Sequence, residues 1–196
     1  HTAKLLSKAL SRPSESVTPK KTRFNNMAKI VYTVSKYSRS TTSTCTVLAD
    51  RGANGCVIGK EMRVIDTGIT APRVNIRAFD KHEQRDVPLV SAGAVISTHL
   101  GPVIAILHHG AHMPEHNSIL SCGQMEHNGC DVNDKSIKIE GGKQRILTSE
   151  GYIIPMDFRD GLPYIKMRPY KDHEWDELPH VLLVIQNEWN PTVLDY

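Results

Sequence analysis

Short runs of β-prone apolar residues recur from Thr46 onward, and turn residues separate each run from the next. Strands with this spacing are typical of a β-sandwich or a small closed β-barrel. The pattern therefore predicts a mainly β domain in which apolar strands meet at glycines. The predicted strands are Thr46–Ala49, Cys56–Ile58, Arg63–Ile65, Val74–Phe79, Val87–Val90, Ala94–Thr98 and Val103–Leu107.

One segment has the pattern of a helix instead, over Asn117–Glu126. Asn117 or Ser118 can cap its start, and Gly129 follows its end. Between these signals Ile119, Leu120 and Gln124 share one face of the predicted helix. A single clear helix is therefore predicted within the β domain.

Strand patterns return after this helix. Alternation on both sides of Gly141-Gly142 predicts a β-hairpin made by residues 136–140 and 144–147. Residues 158–167 predict a further strand that follows an Asp-Gly turn, and residues 178–185 predict a buried terminal strand.

At 196 residues the chain can bury one core, with or without an appended segment. We interpret residues 1–44 as a flexible, basic, Ser/Thr-rich arm or linker that contains one strand candidate over Ile30–Val34. Residues 45–170 form the predicted β domain, and residues 171–196 form an acidic extension with a terminal strand. The net charge of +3 is too small to identify a nucleic-acid binder. The oppositely charged ends indicate partner contacts or simple solvation.

The sequence indicates the location of the protein only broadly. The cysteines have no close-paired spacing, which favours free thiols in a reducing intracellular compartment. The basic, Ser-rich start has the composition of an organellar transit segment, and a linker cut from a polyprotein has a similar composition. Because the chain begins at His1 rather than Met, we interpret it as a processed product or a fragment. No apolar run reaches the about eighteen residues of a membrane-spanning helix.

Asp50 is the first candidate for chemistry. It ends an apolar strand, Gly52 follows it, and a further apolar run with its own glycine comes next. A strand that delivers a carboxylate to a tight glycine turn is the arrangement of an aspartic-protease catalytic loop. Short Asp-x-Gly triplets are also common turns in which the Asp bonds its own backbone. Asp50 and Gly52 are therefore the candidate catalytic residues, with an ordinary turn as the alternative.

A second triplet of the same kind lies at Asp66-Thr67-Gly68, and it has the Thr that such loops prefer. Pro72 follows closely after it. A proline lacks the N–H that a paired strand needs, and it restricts the residue before it. Asp66 is therefore the second candidate catalytic residue.

Several motifs occur in an order that resembles one known family. They are the Asp50-Arg51-Gly52-Ala53 loop, the Asn117–Met125 segment with its Asn-x-x-Leu-Ser-x-x-Gln pattern, the Asn128–Val132 segment, Asp160-Gly161-Leu162-Pro163-Tyr164, and Leu178–Pro191. From Thr46 to Tyr196 the chain resembles the protease region of copia-type retrotransposon polyproteins, particularly the divergent branch found in stramenopile genomes.

This resemblance implies a retropepsin-like fold, a small β-barrel that dimerises because each chain contributes one catalytic Asp. Asp50 from two protomers would share one proton, so that one carboxylate activates water and the other protonates the scissile amide of a peptide substrate. No cofactor is implied. A flap must cover the substrate, and the hairpin near Ala92–Gly101 is our candidate because Gly93 and Gly101 bracket an apolar run. An ordinary hairpin is the alternative.

Arg51 departs from the pattern of this family, which has Ser or Thr at that position. The substitution removes the hydroxyl that interlocks the two loops. It also places a fixed cation where it would disfavour proton sharing between the carboxylates. Arg51 can instead point outward and bond a carboxylate elsewhere, and the sequence leaves both orientations open.

A histidine-rich stretch suggests metal chemistry, because His108 and His112 have the spacing of two ligands on one helix face. Gly110 and Pro114 disfavour a helix there, and no Glu follows a His as it does in zinc peptidases. We therefore predict no metal site and interpret these histidines as strand or loop residues.

Two functions from different classes follow from these observations. The first is a retroelement-derived aspartic endopeptidase that cleaves its polyprotein as a homodimer, or with a pseudo-dimer partner. The second is a catalytically inactive, domesticated domain that serves as a structural or interaction subunit of a larger assembly, anchored by its basic arm. Arg51 favours the second function, whereas Asp50 with Gly52 favours the first.

Overall fold

The computed structural model describes residues 30–34, 45–66, 71–78 and 83–195. They form a mainly β fold with short helices, which confirms the predicted class. The strands are β1 (Val31–Val34), β2 (Thr46–Asp50), β3 (Val57–Ile58), β4 (Arg63–Asp66), β5 (Arg73–Ala78), β6 (Glu83–Thr98), β7 (Gly101–His112), β8 (Ile119–Ser121), β9 (Asp131–Asn133), β10 (Arg145–Leu147), β11 (Ile153–Pro155), β12 (Asp157–Arg159), β13 (Leu162–Arg168) and β14 (His180–Val184). The helices are α1 (Cys122–His127), α2 (Asp172–Glu177) and a 3-10 helix over Pro191–Leu194.

Most of the strands pair in one large sheet, in the order β1-β5-β6-β13-β2-β8-β3-β7-β14. β4 pairs with β6, and β12 pairs with β13. β6 and β7 also pair with each other as a long antiparallel hairpin. A separate sheet has the order β11-β10-β9. Residues 92–96 of β6 form an unbroken buried run, as expected for a strand that is covered on both faces.

The apolar side chains bury into two clusters. The main core joins β2, β6, β7, β13 and β14 to α1, and Leu107, Leu120 and Met125 are among its fully buried members. The second cluster lies around β5 and the first half of β6, and it includes Tyr32 and Trp189. This second cluster therefore depends on residues from both ends of the described chain.

The strands predicted from Thr46 to Leu107 are confirmed in position, with one difference. Residues 87–90 and 94–98, predicted as two strands, both belong to β6. The register shifts between Val90 and Ala92, and pairing with β7 then continues. A bulge of this kind absorbs the irregularity without ending the strand. Phe79, the predicted end of β5, lies outside the described residues.

The helix predicted over Asn117–Glu126 begins later than expected. Ile119–Ser121 form β8, which pairs in parallel with β2, and α1 covers Cys122–His127. The Ser121 hydroxyl accepts the N–H of Gln124 at 3.2 Å, so Ser121 is the N-cap instead of either predicted residue. Sheet pairing outweighs the earlier capping signals because it buries the apolar side chains of β8.

The hairpin predicted around Gly141-Gly142 has a different first strand. β10 pairs with β9, whereas residues 136–140 form turns. A Cβ on Gly142 would lie 1.9 Å from the carbonyl oxygen of Ser136, so the backbone packs too closely there for any side chain. Ile137 and Ile139, which suggested a strand, are exposed.

The arm is described only in part, because the predictions for residues 1–29 and 35–44 lie outside the described residues. Between them, Val31–Val34 form β1 in parallel with β5, with Val31 opposite Asn75. The strand candidate over Ile30–Val34 is therefore confirmed as β1.

The acidic extension shares the large sheet with the β domain, because β14 pairs in parallel with β7. It also contains α2, which was not predicted. Asp172 and Glu174 lie in the first turn of α2, where carboxylates favour a helix, so a signal for it was present in the sequence. No helix in the described part of the chain is long and apolar enough to cross a membrane.

Candidate active site

Asp50 lies at the carboxyl end of β2, within the large sheet. β2 pairs in parallel with β8, which places Asp50 opposite Ser121. Asp50 is only 7% exposed, and its Oδ1 accepts the N–H of Gly52 at 2.8 Å. A buried carboxylate is costly without such a bond, and the bond fixes its orientation in the turn. The structure therefore brings the two candidate catalytic residues into direct contact, through a bond that an ordinary turn, the alternative interpretation, also has.

The loop after Asp50 is tied to the start of α1 by buried side chains. The Ser121 hydroxyl donates to the carbonyl oxygen of Ala53 at 2.6 Å. Gln124 Oε1 accepts the N–H of Cys56 at 2.8 Å. Both side chains are fully buried, so each bond is shielded from water. The Ser-x-x-Gln pattern thus has a physical role, since Ser121 caps the helix and Gln124 holds the loop.

A second set of buried polar contacts joins Ser118, which precedes β8, to the segment that follows β3. The Gly59 N–H donates to Ser118 Oγ at 2.8 Å, and the Ser118 N–H donates to Glu61 Oε2 at 2.7 Å. Glu61 is only 3% exposed. A Cβ on Gly59 would lie 2.1 Å from the carbonyl oxygen of His116. These contacts were not predicted, because they depend on a tertiary approach of Gly59 and Glu61 to Ser118 that the sequence does not display.

Arg51 extends toward α1 and β9. Its guanidinium forms two parallel bonds to Glu126, each 3.0 Å long, and it bonds Asp134 at 3.0 Å. Hydrogen bonds to Glu126 and then Asp134 raise the pKa of Arg51 above its ordinary value. The side chain is 49% exposed, so solvent weakens these pairs. Of the two orientations left open by the sequence, the structure has the one in which Arg51 bonds carboxylates elsewhere.

Three thiols surround this loop, and all are buried. They belong to Cys56, Cys122 and Cys130, and burial raises the pKa of each to about 12. A thiol is reactive as the thiolate, so these groups serve as small apolar packing residues. Cys45 is exposed at the start of β2.

Asp66 has a different setting. It ends β4, pairs with Ser91 of β6, and is exposed. Thr67 and Gly68 of its triplet lie outside the described residues. β4 and β2 are not neighbours in the sheet. Asp66 therefore lacks the burial of Asp50.

The two glycines that were predicted to bracket a flap both lie in the β6–β7 hairpin. Gly101 is at its tip with φ +112°, and Gly93 lies within β6. Residues 94–96 between them are buried. The His99 N–H at the tip donates to the carbonyl oxygen of Ile153 at 3.1 Å. The strands of the hairpin are thus built into the core, whereas its tip around Leu100 is exposed, and the flap role stays a prediction.

The histidine-rich stretch lies along β7 and the turn after it. His108 Nδ1 is 2.7 Å from the Ser91 hydroxyl, and His109 Nε2 is 2.9 Å from the carbonyl oxygen of Gln186. Across residues 30–34, 45–66, 71–78 and 83–195, no group of three or more His, Cys, Asp or Glu side chains is placed to hold a metal ion. The histidines contact polar atoms of neighbouring segments instead.

Comparisons of the chain with models of protein families, with curated proteins and with solved structures found no match. The function therefore has to be argued from the site itself. The site consists of a nearly buried carboxylate in a glycine turn, on a loop that two buried side chains hold in place.

Proposed function

We propose that this chain is a retropepsin-like aspartic endopeptidase domain in which Asp50 supplies one of two catalytic carboxylates. The setting of Asp50 carries the proposal. Its carboxylate is nearly buried, accepts the Gly52 N–H, and begins a loop that is clamped to α1. Hydrolysis by this class of enzyme needs two carboxylates that share a proton. A second copy of the chain would supply the second Asp50.

The strand pairings support a closed barrel for each copy. β6 pairs with β13, β13 with β2, β2 with β8, β8 with β3, β3 with β7, and β7 again with β6. Pairings that return to the first strand are those of a barrel, which leaves no edge within the circuit. In the proposed enzyme, Asp50 ends one strand of this circuit.

In the proposed dimer, the two Asp50 carboxylates hold one proton, because two negative charges at short range are costly. The ionised carboxylate takes a proton from water as the water oxygen attacks the peptide carbonyl carbon. The protonated carboxyl group supplies a proton so that the amine can leave. The bond from Gly52 orients the carboxylate before the substrate arrives, which lowers the cost of reorganisation during the reaction.

One observation favours the alternative, an inactive interaction subunit. The Arg51 guanidinium bonds Glu126, Asp134 and the carbonyl oxygen of Val132, so it links the Asp50 loop to α1 and β9. Because Arg51 has no hydroxyl, it cannot make the loop-to-loop bond that Ser or Thr makes in the family that the chain resembles. Its charge is instead available to hold α1 and β9 in a shape that a partner recognises.

A cleavage assay tests the proposal. Wild-type chain and variants are incubated with a mixed library of unmodified peptides in mildly acidic and in neutral buffer, and mass spectrometry detects the products. Wild type should cleave fastest in mild acid, where the pair of carboxylates holds one proton. Asp50→Asn should reduce the rate by about a hundredfold to ten-thousandfold, because an amide cannot transfer the proton. Asp66→Asn is the matched control and should leave the rate unchanged.

Further outcomes separate the two functions. For a protease, Arg51→Ser should raise the rate and strengthen the dimer in sedimentation. For a scaffold, wild type and Asp50→Asn should both fail to cleave, and Arg51→Ala should weaken association. Cleavage that survives Asp50→Asn and disappears in Asp66→Asn would show that the catalytic residue is Asp66.

A further inference from the structure

β1 belongs to the arm in sequence, yet it lies against the candidate active-site loop. It pairs in parallel with β5, and the Asn75 N–H donates to the carbonyl oxygen of Ile30 at 3.0 Å. Its side chains alternate, since Tyr32 and Val34 are fully buried whereas Thr33 is exposed. One edge of β1 is therefore bonded to β5, and every second side chain of β1 packs into the protein interior.

Asn54 of the loop after Asp50 holds the other edge of β1. Its N–H donates to the carbonyl oxygen of Thr33 at 3.1 Å, and its Oδ1 accepts the Thr33 N–H at 2.6 Å. Its Nδ2 donates to the carbonyl oxygen of Val31 at 3.3 Å. The Asn54 amide thus imitates the edge of a neighbouring strand, so that β1 is bonded through its backbone on both sides.

The side chains of β1 enter an apolar surface that other elements build. The Tyr32 hydroxyl donates to the carbonyl oxygen of His109 at 3.0 Å. A Cβ on Gly55 would lie 2.4 Å from the Tyr32 ring, so the missing side chain at Gly55 makes room for the ring. The Trp189 indole N–H donates to the carbonyl oxygen of Asn54 at 2.9 Å, which helps to fix the position of the loop. Tyr32 and Val34 share one buried apolar cluster with Ala53, Val57, Val74, Ile76, Ile119 and Trp189.

Backbone bonds on both edges, with alternate side chains in pockets, are how proteins bind an extended peptide. We propose that the space between β5 and the Asp50 loop is a groove for an extended peptide, and that residues 31–34 fill it within the same chain. The preferred peptide has a tyrosine-like side chain followed, two residues later, by a short aliphatic one. The exposed position between them is unrestricted. If the proposed protease function holds, this peptide class is its substrate and β1 is an internal block, but the groove itself does not depend on catalysis.

Peptide binding to the full-length chain tests this proposal. The probe is a fluorescent peptide with the sequence of residues 28–36, and its anisotropy reports binding. The double variant Tyr32→Asp/Val34→Asp should expel β1, because buried unpaired carboxylates are costly. This variant should bind the probe at least about tenfold more tightly than wild type, since the tethered competitor is gone. Thr33→Asp is the matched control and should bind as wild type does, because its side chain is exposed.

Several outcomes would overturn the proposal. Circular dichroism first checks that the double variant is folded. A folded variant that does not bind the probe would show that there is no groove. Equal binding of the probe by wild type and the double variant would show that β1 does not compete for the groove. A dimer in wild type that is lost in the double variant would place β1 on the partner copy. A probe with Asp at its own Tyr and Val positions should not bind, and tight binding of that probe also contradicts the proposal.

A second design covers the case in which the double variant fails to fold. A recognition sequence for a specific protease replaces residues 37–42 in the otherwise full-length chain. After cutting, excess probe should exchange for the cut strand while the rest of the chain keeps its fold, and absence of exchange would make β1 a core strand. All binding is measured with Asp50→Asn as well, so that a failure of catalysis and a failure of the groove give different results.

Discussion

The two apolar clusters differ in how the chain assembles them. The main core draws its members from many strands and α1, all between Val47 and Val184, and residues such as Leu107 and Leu120 come from strands that pair on both edges. The second cluster is completed by Tyr32 and Val34 from upstream and by Trp189 from downstream. Burial is equally deep in both, since Tyr32 and Leu120 are each 0% exposed.

Equal burial therefore does not imply an equal role. A side chain in the main core can leave only if several paired strands separate. Tyr32 leaves if one short strand detaches from β5 and from Asn54. Regions of a protein open with different free energies, and a segment with few neighbours opens first. The comparison predicts that matched substitutions in the two clusters have unequal effects on global stability.

The largest contrast is expected between Leu120→Ala and Tyr32→Ala. Leu120→Ala should lower the free energy of unfolding by about 2–5 kcal/mol, because it leaves a cavity in a core that cannot collapse. Tyr32→Ala should lower it by less than about 1 kcal/mol, because releasing β1 limits the loss. Urea unfolding measures both, and amide exchange should show faster exchange in β5 for Tyr32→Ala. Equal losses would mean that the two clusters form one cooperative core.

Substitutions at Gly59 and Gly55 test the same difference between the two clusters, with a smaller expected effect. A Cβ on Gly59 meets the backbone of His116 at 2.1 Å, whereas a Cβ on Gly55 meets the ring of Tyr32 at 2.4 Å. Gly59→Ala should cost about 1–3 kcal/mol, because the His116 carbonyl group accepts the Lys60 N–H and cannot easily move away. Gly55→Ala should instead displace β1, with fast amide exchange at β5 and little change in the urea midpoint. A large loss of stability in Gly55→Ala would contradict this.

The smallest effect concerns His108 on β7, the strand that contributes to both clusters. Burial, and secondarily the neighbouring His109, lower the pKa of His108 below its ordinary value of 6.5. Because the unfolded chain binds this proton more readily than the folded protein, protonation of His108 lowers the free energy of unfolding. The stability that depends on neutral His108 is therefore complete above pH 6.5 and is lost as the pH falls below that value. His108→Gln should flatten the decline of the urea midpoint in mild acid, and His112→Gln serves as the control. An unchanged decline in His108→Gln would exclude this origin.

Much of the β framework could be predicted from the sequence, because the strands of the central domain are short apolar runs between turn residues. The errors have tertiary causes. Residues 119–121 lie in the predicted helix but pair with β2, and residues 91–93 separate two predicted strands but continue β6 after a bulge. In both places, local propensity does not determine the secondary structure, and pairing with a distant strand does.

The site was predicted less completely. Asp50 and Gly52 were found because a strand, an Asp and a glycine are adjacent in the sequence. The bonds that position their loop come from Ser121 and Gln124, which are distant in sequence, although the sequence pattern of α1 marked both. Asn54 gave no signal, because its role depends on β1 arriving at the loop.

The attachment of β1 to β2 through residues 35–44 has a consequence for concentration. A ligand joined to its site by a short segment acts at an effective concentration on the order of millimolar, however dilute the protein is. A single cut within residues 35–44 would turn this permanent occupant into one that dilution removes. The groove of the cut protein would then empty as the solution is diluted, whereas an enzyme that works as a dimer loses its active form under the same dilution.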